Sequence, residues 1–130
     1  MTQLRWTDDC EVGISQVDRD HRYLLQMINR IIVLAESGRM KHMDAWQARL
    51  NEYAASHFMR EELLMETVIP EWPERAAHIK EHRNYWIWLA RLDMNSDPQM
   101  MVEFLRSWWM KHILGQDKAM GQALQARGLH

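Results

Sequence analysis

Five of the seven histidines in this 130-residue chain are candidates for metal chemistry; four of them are grouped by helical spacing, and carboxylates stand beside two of those. His57 precedes Glu61 by four residues, His78 precedes His82 by four, and His112 precedes Asp117 by five. His21 stands alone near the start. A step of four puts two side chains on one helix face, one turn apart, where both reach a common point. Five imidazoles and two carboxylates are too many for one metal ion and suit two ions that share carboxylate bridges. Two octahedral ions have twelve positions between them; five imidazoles, two bridging carboxylates and a solvent-derived oxygen bridge fill all but one. An open position on a redox-active ion is where a small molecule would bind.

The remaining candidates narrow the chemistry. Glu61 and Asp117, buried in a core without a charge partner, would destabilise the fold by roughly several kcal/mol each, and a cationic centre removes that penalty. Imidazole with carboxylate suits iron, zinc, copper or nickel, whereas calcium and magnesium prefer oxygen. Structural zinc commonly uses cysteine, and the single Cys10 lies outside the clusters. Asp8, Asp9 and Glu11 surround Cys10 and disfavour a thiolate, so it reads as an incidental thiol. No Glu-x-x-His occurs, which argues against a ferritin-like di-iron oxidase, and no His-Glu-x-x-His, which argues against a metalloprotease. His42, beside Lys41 in an expected loop, and His130, the last residue, read as solvent-exposed. Glu62 points about 100° round the helix from Glu61, on the surface or in support of the ligands. The step of five to Asp117 leaves the face of a regular helix and predicts a local bulge around Gly115.

These residues need helices to hold them. Apolar residues recur at steps of three and four in four stretches, predicting helices at about 18–37, 43–66, 73–94 and 98–126 after an extended or looped arm, 1–17. Gly38 is a C-terminal cap, Pro73 suits a first helical turn, and 95–98 is a loop in which Asp97 caps the helix that Pro98 opens. Short connections imply an all-α, antiparallel up-down-up-down four-helix bundle built as a single domain, 1–130. Each helix carries a histidine on its inner face, early on the first, late on the second, early on the third and midway along the longer fourth. That order is what one shared level in an antiparallel bundle requires.

Composition sets the outer bounds. A net charge of -2 with interspersed signs leaves no footprint for nucleic acid or an anionic membrane. No apolar run approaches the roughly 20 residues that cross a bilayer, and the first residues lack a signal-peptide core. A cytoplasmic protein without membrane insertion is expected, and a monomer, since no large apolar patch is evident.

Taken together, the motifs resemble the hemerythrins, specifically the single-domain bacterial ones. The opening stretch runs from Trp6 through Gly13-Ile14 to Val17-Asp18-Arg19-Asp20-His21-Arg22-Tyr23-Leu24, followed by HFMREELLM at 57–65, HIKEH at 78–82 and HILGQD at 112–117. The likeness covers nearly the whole chain. It departs in the linker VIPEWPERAAH and at Tyr85, where the family commonly has Phe; neither touches a ligand position. The resemblance implies a non-haem, oxo- or hydroxo-bridged centre of two iron ions passing between Fe(II) and Fe(III), with O2 as reversible ligand. It further implies that His78, His82 and His112 hold the filled iron, that His21 and His57 hold the iron with the vacancy, and that Glu61 and Asp117 bridge both. Candidates for an apolar O2 pocket come from helix geometry: Leu25 and Ile28, one and two turns beyond His21, and Trp109, one turn before His112.

The expected function is therefore reversible O2 binding for storage, transport or delivery to an O2-consuming enzyme, and not catalysis. Alternatives are an O2 or redox sensor, for which no signalling domain is evident, and a di-iron enzyme acting on peroxide or nitric oxide, for which no acid–base group stands beside the expected vacancy. A zinc-stabilised bundle is the plain structural reading.

Overall fold

In the computed structural model, which describes residues 3–95 and 97–130 (side chains of 93–95 excepted), helices dominate and no strand occurs among the described residues. A short 3-10 turn, Asp8–Cys10, precedes α1 (Ser15–Glu36), α2 (Met40–Val68), α3 (Arg75–Asn95) and α4 (Pro98–His112). A π-helical segment, Ile113–Asp117, joins α4 to α5 (Lys118–Gln125). α1 packs on α2 and α4, and α3 on α2 and α4, so the four long helices close into the antiparallel bundle expected. No helix among the described residues is long and apolar enough to cross a membrane.

The helix boundaries differ from the sequence expectation, each for a local reason. α1 begins at Ser15, not near Asp18. The Asp18 amide already donates to Ile14 O at 2.9 Å, and its carboxylate turns back to accept from the Val12 and Gly13 amides at 2.8 and 3.2 Å. The aspartate thus pins the arm from inside the helix instead of capping its start. α1 ends as expected at Gly38, whose φ of 73° permits the closing pair of bonds, Gly38 N to Ala35 O and Arg39 N to Leu34 O. The chain leaves that cap straight into α2 at Met40, so His42 lies in the first turn of α2, exposed, and not in a loop. Pro73 sits in the turn before α3, which opens at Arg75. Asp97 accepts from the Gln99 amide at 3.0 Å and caps α4 as its sequence implies; Ser96 of the expected loop lies outside the described residues.

The core is divided. One apolar cluster gathers Leu24, Ile28, Leu50, Phe58, Tyr85, Leu105 and Trp109 with their neighbours. The other gathers Val12, Ile14, Val17, Met65, Ile69, Met120 and Leu124. Between them on every long helix falls a histidine: His21 after Val17, His57 before Met65, His78 and His82 before Tyr85, and His112 before Met120. The histidines form a buried polar layer across the bundle.

Candidate metal centre

All seven predicted residues, His21, His57, Glu61, His78, His82, His112 and Asp117, converge on that layer and are at most 1% exposed. Their ligand atoms fall into two sets, each within 4.8 Å: Glu61, His78, His82, His112 and Asp117 in one, and His21, His57, Glu61 and Asp117 in the other. The two carboxylates belong to both sets.

Each carboxylate divides its oxygens between the sets. Glu61 turns Oε2 to His57 Nε2 at 3.0 Å and His21 Nε2 at 3.5 Å. Its Oε1 faces His78 Nε2 at 3.2 Å, His82 Nε2 at 3.1 Å and His112 Nε2 at 4.0 Å. Asp117 turns Oδ2 to His21 Nε2 at 2.9 Å and Oδ1 to His78 and His112 Nε2, each at 3.0 Å.

The step of five to Asp117 is resolved by the backbone. Ile113–Asp117 winds as a π-helix, in which residues five apart come into line, so Asp117 reaches the layer beside His112. Neither space nor a left-handed backbone demands a glycine at position 115. A Cβ built there meets nothing within 4 Å, and its φ is not positive.

Within the two sets only His78 and His82 Nε2 meet Glu61 Oε1 with hydrogen-bond geometry; the other close approaches are not hydrogen bonds. The Nε2 atoms of His21, His57 and His112, Oε2 of Glu61 and both Asp117 oxygens are buried without a hydrogen-bond partner of proper geometry, although several lie close together. Buried polar atoms are seldom left so, and six orphans aimed at one small volume call for a cation. Imidazole nitrogen and carboxylate oxygen are the donor set of a borderline transition-metal ion. Without one, protons substitute. Burial pushes the His57 imidazole down, but Glu61 and Asp20 outweigh it and lift the group to about 10. His78 is likewise disfavoured by burial yet held up at about 9 by Asp117 and Glu61. Burial alone prevails at His112, which is lowered despite Asp117. Burial opposes charge on Glu61 and Asp117 too, but the surrounding imidazoles hold both well below the usual carboxylate range.

A supporting layer fixes two of the rings. His82 Nδ1 donates to Glu62 Oε2 at 2.9 Å, so the residue left between surface and support is in support. His57 Nδ1 donates to Asp20 Oδ2 at 2.9 Å. Asp20, 1% exposed, was not singled out by sequence, because the partners it meets on α2 lie 33 to 40 residues away: besides His57, Tyr53 Oη donates to it at 2.9 Å and Arg60 Nε at 2.8 Å. Such bonds orient an imidazole and leave its other nitrogen free for a metal. Aromatic side chains pack against the layer. Trp109, fully buried, stacks on Phe58 at 5.4 Å, donates to Tyr85 Oη at 3.3 Å and lies 6.0 Å from the His57 ring. Leu25 and Ile28 are buried in the same apolar cluster.

Comparison with known proteins agrees with this geometry. Residues 12–124 match the hemerythrin HHE cation binding domain. A bacteriohemerythrin of Stenotrophomonas maltophilia is 30% identical over 131 residues, covering 97% of this chain and 84% of that protein. One from Clostridium acetobutylicum is 28% identical over 87% of this chain and 95% of its own, and one from Methylococcus capsulatus 26% identical over 97% and 100%. With the family's domain spanning nearly the whole bundle and the buried layer at its centre, the chain belongs to the hemerythrin family.

Proposed function

We propose that this protein binds O2 reversibly at a di-iron centre held by His21, His57, Glu61, His78, His82, His112 and Asp117, and serves in O2 storage, transport or delivery to an O2-consuming enzyme. The observation that carries the reading is the division of the oxygens of Glu61 and Asp117 between a set of three imidazoles and a set of two. Two carboxylates so placed suit a bridged pair of ions, and the missing third imidazole leaves room for a ligand on the side of His21 and His57. Bound ferrous ions would supply the two electrons that O2 takes up on binding and returns on release.

The chain's own residues do the rest. Asp20 and Glu62 hold His57 and His82 with Nδ1 protonated and Nε2 turned inward. Trp109, Leu25 and Ile28 are the proposed walls that keep water from the centre, so that charge does not escape as a reduced oxygen species. No membrane or nucleic-acid partner enters this role, and a monomeric cytoplasmic protein suffices for it.

Loading metal-free protein with ferrous iron under nitrogen, admitting air and then removing it tests the proposal. Colour that appears and bleaches over repeated cycles is expected. Oxidation in one direction only would favour a sensor or an enzyme acting on peroxide or nitric oxide, and failure to bind two iron ions would sink the di-iron reading.

A further inference from the structure

The two supported imidazoles differ in what lies behind their carboxylates. Glu62, behind His82, has a side chain 37% exposed, and no lysine or arginine pairs with it among the described residues. Water screens its charge. Asp20, behind His57, is 1% exposed and cannot be screened that way. It instead accepts from Tyr53 Oη at 2.9 Å, Arg60 Nε at 2.8 Å and Gln16 Nε2 at 3.2 Å, while Arg60 itself is 35% exposed and braced on Ser56 Oγ at 2.7 Å. Tyr53 lines two surface clefts, so the set runs from solvent to the back of His57.

A buried, uncompensated carboxylate would draw the Nδ1 proton of His57 towards itself. The ring would gain imidazolate character and donate more strongly to a metal at Nε2, which favours the ferric over the ferrous ion. Donors to the same carboxylate work the other way, and a guanidinium in partly desolvated surroundings is the strongest of them. We infer that Arg60, assisted by Tyr53, is a positioning and charge-setting residue that acts through Asp20 and His57 to hold the two-histidine iron ferrous. This rests on the di-iron reading above. The step it slows is loss of the reduced centre to air: two ferrous ions each give one electron, O2 takes both with two protons and leaves as hydrogen peroxide, and two ferric ions remain.

The test uses the full chain, loaded anaerobically and shown by metal analysis to carry two iron ions per chain. Failure at that stage would count against the di-iron reading, and only a fully loaded protein speaks to Arg60. Arg60→Met should lower the midpoint potential of the centre and speed autoxidation severalfold. Tyr53→Phe should do the same to a smaller degree, and Arg60→Lys, which keeps the charge, should stay near the parent. A merely structural residue would alter loading or melting but not the potential of the loaded protein. An unchanged or raised potential in Arg60→Met overturns the inference, as does a fall that Arg60→Lys shares in full. Should Arg60→Met not fold or load, Tyr53→Phe decides: an unchanged potential and autoxidation rate there overturn the inference.

Discussion

Seven side chains share one buried volume, and their roles separate by which charge each can tolerate. Asp117→Asn keeps shape but removes an anion that faces both imidazole sets. Iron bound per chain after anaerobic loading and desalting should fall below two, and a variant that still holds two would deny Asp117 a bridging role. Protons compete for the same nitrogens. His57 at about 10 and His78 at about 9 are protonated at neutral pH when metal is absent, so metal binding must release those protons. Ferrous affinity, measured against a competing chelator, should therefore rise from about pH 6 to about pH 8; a flat profile would contradict this. Trp109 is the residue to vary among the proposed walls. Trp109→Ala would empty a core position at about 3–5 kcal/mol, so Trp109→Phe is the better probe. Its autoxidation should exceed the parent's if the indole screens the vacancy, and an equal rate removes it from that role.

At the scale of elements, the π-helical segment and the clamp between the arm and α5 carry most of the local information. Gly115 lies in the π-helix with open space around it. Gly115→Ala should leave iron loading intact and raise stability by up to about 1 kcal/mol, the usual gain for replacing glycine in a helix. Loss of loading would show that the bulge needs glycine after all. Gly121 is the opposite case. A Cβ there would fall 2.2 Å from Val12 O, a backbone atom that cannot swing aside. Gly121→Ala should push the arm from α5 and destabilise by about 1–3 kcal/mol in thermal or denaturant unfolding.

For the whole molecule, the buried polar layer makes stability depend on its contents. A ligand that binds only the folded state stabilises it by about 2.7 kcal/mol at a hundredfold excess over its Kd, so iron-loaded protein should melt well above the metal-free form. The metal-free form has its own pH dependence. The folded-state pKa values of His57 and His78 lie above the unfolded value of 6.5, so their protonated pairs stabilise fully below that value. That contribution is lost as pH rises through about 9 and 10. Chemical denaturation of the metal-free chain should show this decline, and the loaded chain, whose imidazoles hold metal in place of protons, should not.

Much of this was legible in the order of residues. Periodic apolar stripes, the Gly38 and Asp97 caps and the His and carboxylate spacings determined a four-helix bundle with histidines at one level, because helix phase and direction follow from local chain geometry. Even the π-helix was foreshadowed, since a step of five cannot stay on a regular helix face. What only the tertiary structure decided was pairing at a distance. Asp20 meets His57, Tyr53 and Arg60 only once α1 lies against α2, and no spacing along the chain encodes that contact. The same is true of how Glu61 and Asp117 divide their oxygens between three imidazoles and two. That depends on side chains from four helices meeting at one point, a consequence of packing rather than of any segment alone.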